Sequence, residues 1–344
     1  VSMIGVSAIG MMLFTSRPVG DAMATTIWGT SSSWTLTALP LFVWMGEILF
    51  RTKLSENLFK GLSPWMQKLP GGLIHVNVVG CALFAAISGS SAATVATVGK
   101  MSIPELRKRN YPEKILLGSL AGSGTLGLLI PPSIILIIYG VAVQESIAKL
   151  FIAGIIPGIM IALIFMSYVI IWSLINKKDM PKILEEYSFF EKVKRSKQLL
   201  PVILLILGVI GSIYTGIATA TEAASLGVVG ALILSYFQKS LTLETFKSSL
   251  LGATKTSCMI AFILAGSTFL SLAMGFTGLP RNLAIWIQNM DLSPYVLIFV
   301  LMIFYIILGM FLDGISAVVL TMAIIEPMIR QAGFDMIWFG IFLV

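Results

Sequence analysis

Five apolar runs, near residues 115–141, 150–176, 201–217, 221–237 and 257–275, come close to the ~20 residues a helix needs to cross a bilayer. In hydrocarbon only a helix or a closed barrel satisfies every backbone N–H and C=O, so a chain built this way is an all-α polytopic membrane protein. Composition agrees. Of 344 residues, 57% are hydrophobic and 11% charged, against roughly 25% charged in a soluble domain. Mean hydropathy is +0.96. A soluble enzyme, a nucleic-acid binder and a secreted disulfide scaffold are excluded. The net charge of +7 is then read as membrane topology. Cys81 and Cys258 lie in apolar stretches and read as packed free thiols. His75 is the only histidine, which leaves no His-rich metal centre.

The sequence begins at Val1 inside an apolar run that reaches Phe14, about half a membrane thick, and stops at Val344, a few residues into a run from Met336. No charged leader precedes residue 1. These ends read as those of a partial chain.

Lys and Arg gather in cytoplasmic loops. Four lie between Arg51 and Lys68, five between Lys100 and Lys114, seven in the linker Lys177 to Lys197, and three more are Lys239, Lys247 and Lys255. All four clusters are placed in the cytoplasm. Residues 71–99 are apolar throughout yet basic on both flanks, so the segment enters and turns back. The turn falls at Ser88, Gly89, Ser90 and Ser91, where small polar residues interrupt the run. Such a turn is tolerated only when buried in protein or lining a wet cavity. The other reading is one ordinary crossing with a permissive loop.

From Lys114 the five crossings end outside, where the loop holds only Arg281 and Asp291. A further apolar arm, Pro294 to Leu312, is interrupted at Asp313 and Gly314 and resumes to Met328. Its far flank carries just Arg330 and Asp335, so it reads as a second hairpin entering from the opposite face. The two hairpins resemble each other. Trp65-Met66-Gln67, Gly89-Ser90-Ser91-Ala92 and Pro104 return as Trp286-Ile287-Gln288, Gly314-Ile315-Ser316-Ala317 and Pro327, 221 to 225 residues later. Near-constant spacing with opposite predicted orientation is the mark of an inverted-topology repeat, which places a substrate site at the midplane between discontinuous helices.

A third discontinuity lies in 115–141. Gly122, Ser123, Gly124, Thr125 and Gly127 precede Ile130, Pro131, Pro132 and Ser133. Two adjacent prolines remove two donors and clash with the preceding turn, so the helix breaks. The break frees carbonyls that suit a cation and N–H groups that suit an anion. The alternative is a structural kink packed through small residues such as Gly118 and Gly122.

Together the runs Gly89-Ser90-Ser91-Ala92-Ala93-Thr94, Gly127-Leu128-Leu129-Ile130-Pro131-Pro132-Ser133, Glu145 to Gly154 and Thr221-Glu222-Ala223-Ala224 resemble the large membrane subunit of tripartite ATP-independent periplasmic (TRAP) transporters. The resemblance covers essentially the whole chain. It implies an inverted-repeat, elevator-type secondary transporter of the bacterial inner membrane, with two opposed re-entrant hairpins and broken transmembrane helices. It implies uptake of an organic acid, driven by a Na⁺ gradient, delivered by a periplasmic substrate-binding protein and assisted by a small membrane subunit. It implies neither catalysis nor an organic cofactor.

By this resemblance Ser90, Ser91, Pro131, Pro132, Ser133 and Ser316 bind the carboxylate substrate, and Ser88, Gly89, Gly127, Asp313 and Gly314 hold Na⁺. Residues 1–70 would be scaffold helices with a first arm helix at Trp65, and 71–149 the first hairpin and broken helix. Residues 150–290 would be scaffold with the cytoplasmic linker 177–200 and a second arm helix at Trp286, and 291–344 the second hairpin and the start of a truncated helix. Ala220 stands where the family usually has Pro before Thr-Glu, and the family's second Pro-paired broken helix lies past Val344. A sodium-coupled dicarboxylate carrier that works without a binding protein is the competing reading.

Individual residues keep plainer alternatives. Asp313, an acid near mid-membrane, is a functional candidate that can also cap the following half-helix or face external water. Ser90, Ser91 and Ser316 suit a carboxylate or Na⁺, or local capping at a hairpin tip. Glu222, three residues after Thr219, has capping-box spacing. Glu47 pairs with Arg51 at i,i+4, and His75 reads as a polar interface residue. The linker, seven basic and four acidic, reads as a solvated amphipathic loop in reach of anionic headgroups of membrane lipid. An intramembrane protease needs paired aspartates or a Ser with a His base, and His75 lies far from Ser88–Ser91. A channel would need a continuous pore, which paired hairpins do not give. No Arg or Lys lies at the predicted midplane, so anion recognition falls to half-helix N-termini and hydroxyls. A C4-dicarboxylate, a sugar acid such as sialic acid and a 2-oxo acid satisfy these alike.

Overall fold

The computed structural model describes residues 2–52, 54–181, 187–278, 280, 282, 285 and 293–344, the side chains of 54–56 excepted. Trp286, Ile287, Gln288, Arg281 and Asp291, on which the second arm helix and the outer loop rest, lie outside the described residues, as do Lys53, Lys182, Glu185 and Glu186. The described elements are helical. In chain order they are α1 (Ser2–Phe14), α2 (Val19–Ser31), α3 (Ala38–Phe50), α4 (Leu54–Met66), α5 (Ile74–Ser88), α6 (Ser91–Lys108), α7 (Glu113–Gly124), α8 (Leu126–Leu129) and α9 (Ile134–Ala142). There follow α10 (Ile147–Ile175), α11 (Phe189–Ser196), α12 (Leu200–Tyr214), α13 (Ala220–Phe237), α14 (Leu243–Thr277), α15 (Pro294–Gly309), α16 (Gly314–Gln331) and α17 (Met336–Leu343).

Among the described residues four helices, α10, α13, α14 and α16, are long and apolar enough to cross a membrane. Three bent pairs raise the number to seven if each is one span: α2 with the stretch Trp34–Phe50 (52°), Glu113–Leu129 with α9 (40°), and α11 with α12 (57°). Each of the five runs read as crossings is occupied by one of these helices or pairs. Length and apolarity alone also admit α16, the returning arm of the second hairpin. Tyr305 of α15 and Thr321 of α16 share a hydroxyl hydrogen bond of 2.7 Å.

The residues form two compact units. One comprises Pro40–Ile134 and Gly154–Thr254, the other Val1–Leu39, Ile135–Ala153 and Lys255–Val344. In the first, α5 packs against α4, α6, α7 and α8. Its core includes Ile74, Ile115 and Val169, and Val78, Ala85 and Leu126, all buried. In the second, Met11, Phe269 and Ala273 form a buried cluster. There Tyr139 lies beneath Gly340 and donates to the Met336 carbonyl at 2.6 Å, fastening α9 to α17.

His75 is fully buried in protein, its Nε2 2.8 Å from the Pro70 carbonyl oxygen. One expectation is corrected. The linker is not a plain solvated loop: α11 forms within it and packs on α4. Cys81 is packed as expected, whereas Cys258 is exposed on α14. Glu47 and Arg51 do pair, and Arg51 Nε also donates to Ser248 Oγ at 3.0 Å. Glu222 completes the expected capping box, accepting from Thr219 N at 2.8 Å.

Candidate functional site

The first hairpin turns at two residues. α5 ends because Gly89 adopts the left-handed conformation (φ 59°, ψ 11°), with its N–H on the Ala85 carbonyl at 3.0 Å; glycine enters that region without a Cβ penalty. Ser90, extended at φ −131°, ψ 126°, is the N-cap of α6 and accepts from Ala93 N. Around it the hydroxyls bond one another and the turn: Ser88 Oγ to Thr94 Oγ1 at 2.9 Å, and Thr94 Oγ1 to the Ser90 carbonyl at 2.7 Å. The tip is therefore held by a set of short-range bonds.

The helix 113–142 breaks where the proline pair predicts. α8 ends at Leu129, Ile130 is extended (ψ 121°), and α9 begins after Ser133; the Pro131–Pro132 peptide bond is cis. The hairpin tip sits directly on this break. Ile134 N donates to the Gly89 carbonyl at 3.2 Å. A Cβ on Gly89 would stand 2.6 Å from the Pro132 carbonyl oxygen, and one on Gly127 would stand 2.9 Å from the Ser90 carbonyl. Both contacts are backbone against backbone, so neither glycine tolerates a side chain without parting tip from break. Ser88, Gly89, Ser90, Ser91, Gly127, Pro131, Pro132 and Ser133 are thus brought into one place, within one compact unit. Pro131, Pro132 and Ser133 are buried, and the Ser133 hydroxyl donates to the Leu128 carbonyl.

Several members of this site have no local sequence pattern. Gly46 on α3 brings its backbone against Ser88, where a Cβ would lie 3.1 Å from the Ser88 Cα. Asn77, fully buried on α5, donates from Nδ2 to the Leu116 carbonyl at 3.2 Å and to Ser119 Oγ at 3.0 Å, while Ser123 Oγ donates to the Asn77 carbonyl at 3.4 Å. This polar seam binds the descending arm to α7. A lone Asn in an apolar run was the available clue, because a buried amide must find partners. At the mouth of the hairpin, Tyr111 Oη accepts from Leu73 N at 3.0 Å, and burial pushes its phenol above the ordinary tyrosine range.

Asp313, Gly314 and Ser316 belong to the other compact unit. Asp313 is the N-cap of α16: its carboxylate accepts from Ser316 N at 3.3 Å and Ser316 Oγ at 2.5 Å. Of its alternatives, capping is what the geometry shows. At the far end of α16, Arg330 donates to the Val143 carbonyl at 3.0 Å and to Glu326 at 2.9 Å, with Glu145 3.8 Å away. The mouth of the second hairpin is thereby tied to the end of α9, and the mouth of the first to the start of α7.

Among the described residues no three His, Cys, Asp or Glu side chains converge to hold a metal. The oxygens at the first tip are hydroxyls and carbonyls, a neutral, hard donor set that suits an alkali cation and not a transition metal.

The family model of the tripartite ATP-independent periplasmic transporter, DctM component, matches residues 1–344. The C4-dicarboxylate TRAP transporter large permease protein DctM of Pseudomonas aeruginosa is 32% identical over 338 residues, which covers 98% of this chain and 78% of that protein. The sialic acid TRAP transporter large permease protein SiaM of Vibrio cholerae is 31% identical, over 98% and 78%. The isethionate TRAP transporter permease protein DctMQ of Oleidesulfovibrio alaskensis is 29% identical, over 99% and 54%.

Proposed function

The chain belongs to the DctM component family of tripartite ATP-independent periplasmic transporters, and from that premise we propose that it carries an organic acid inward across the bacterial inner membrane on a Na⁺ gradient. The substrate is a C4-dicarboxylate, a sugar acid such as sialic acid, or a related carboxylate, as the names of its relatives suggest. A periplasmic binding protein delivers it, and a small membrane subunit completes the permease; the name DctMQ of one relative fits a fused form of that pair. Residues 71–149 and 291–344 form the part that moves, and 1–70 and 150–290 the part that stays, a division by motion and not by which segments touch.

The observation that carries the reading is the backbone contact between the first hairpin tip and the helix break, at Gly89 with Ile134 and Gly127 with Ser90. A kink needs no hairpin seated on it; an occludable midplane site does. The two tips differ in charge. The neutral Ser90 caps α6 and leaves that N-terminus attractive to an anion. The Asp313 carboxylate already occupies the N-terminus of α16 and favours a cation beside it. We assign Ser90, Ser91, Pro131, Pro132, Ser133 and Ser316 to the substrate and Ser88, Gly89, Gly127, Asp313 and Gly314 to Na⁺.

The test is organic-acid uptake into proteoliposomes holding the permease with its small subunit, under an inward Na⁺ gradient, with and without the binding protein. Uptake that needs both is expected. Uptake with Na⁺ alone would remove the binding protein, and uptake indifferent to Na⁺ would remove the coupling ion.

A further inference from the structure

We propose that α11 is an interfacial anchor that takes anionic phospholipid headgroups from the cytoplasmic leaflet. Around the helix axis Phe189, Val193 and Phe190 form one apolar stripe, and Phe189 and Phe190 are 73% and 78% exposed. Lys192 flanks the stripe on one side and Lys194 on the other, with Arg195 behind and Lys197 at the C-cap that follows. The one acid of the helix, Glu191, is spent on its own N-terminus, accepting from Ser188 N at 3.0 Å.

An exposed apolar stripe edged by lysines is the composition of a helix lying in the headgroup plane, and each Lys or Arg there gains from anionic lipid. Two further observations select a bilayer over a protein. The stripe leads into α12, whose Leu200, Leu204 and Leu207 are also exposed and which is apolar enough for a membrane span when joined to α11. And α11 is held beside Trp65, an aromatic residue of the type that settles at the membrane–water boundary. Trp65 Nε1 donates to Ser196 Oγ at 2.7 Å, its ring meets Phe189 edge-on at 6.2 Å, and Lys192 Nζ lies 5.5 Å from it. Through these contacts the anchor fixes α4 at the same level.

The experiment is amide hydrogen exchange over residues 190–196 of the full permease in nanodiscs of phosphatidylcholine, alone or with phosphatidylglycerol. The anionic lipid is expected to slow exchange by about tenfold or more, an effect lost in high salt and in Lys194→Gln/Lys197→Gln. Phe190→Ser is expected to speed exchange in both bilayers. Equal rates in the two lipids, or no response to Phe190→Ser, would overturn the proposal. Protection that appears only when the small subunit is added would also overturn it, making the stripe a protein docking face. None of these readouts depends on transport.

Discussion

At the scale of single residues, Gly127 and Asp313 separate site from structure most cleanly. A methyl on Gly127 must displace the Ser90 carbonyl 2.9 Å away, which costs about 1–3 kcal/mol in a packed interior. Gly127→Ala is expected to fold and to lose uptake by about tenfold or more, since each ~1.4 kcal/mol is a factor of ten; proteoliposome uptake beside a melting curve checks both. Asp313 has two roles to divide. Asn caps a helix about as well as Asp, and Ala costs roughly 0.5–2 kcal/mol there. Asp313→Asn is therefore expected to keep the melting temperature and weaken Na⁺ dependence, while Asp313→Ala loses both; unchanged Na⁺ dependence in Asp313→Asn would leave the residue a cap alone. Gly89, Gly127 and the prolines were legible in sequence because backbone geometry restricts those residue types. Asn77, Ser119, Ser123 and Gly46 were not, because their importance comes from partners 39 or more positions away or on another helix.

At the scale of elements, the break and the hairpin depend on each other. The Gly89 carbonyl is satisfied by the N–H of Ile134, which is available only because the helix is interrupted. Replacing both Pro131 and Pro132 by Ala restores two donors and lets the helix run on; Ile134 N–H then turns to its own helix and the tip loses its seat. The double variant is expected to insert normally and to fail in uptake, and near-normal uptake would reduce the break to a kink. Charge marked the first hairpin, because a run with basic flanks on both ends is not expected to cross, and the chain turns between α5 and α6 at Gly89 and Ser90. Charge misled at the linker. A short helix among seven basic residues looks like a solvated loop until Trp65, distant in sequence, is seen to hold it.

At the scale of the molecule, topology is the expectation most open to direct test. Single cysteines at Lys108 and Lys178 are expected to react with an impermeant maleimide only from the cytoplasmic side, and those at Gln144 and Gln331 only from the other. Reaction of Gln331→Cys from the cytoplasmic side would turn the second hairpin over and end the inverted repeat. What the apolar runs conveyed was where the long apolar helices and bent pairs lie. What they did not convey was which segments share a core, because apolar side chains in a membrane protein face lipid and neighbours alike. The central claim is that the first tip and the helix break enclose the transported ion and acid. It is tested most directly by alkylation of Ser90→Cys, with Cys81 and Cys258 replaced by Ala. Na⁺ and the organic acid together are predicted to slow the reaction, and a rate unchanged by either would contradict the assignment of this site.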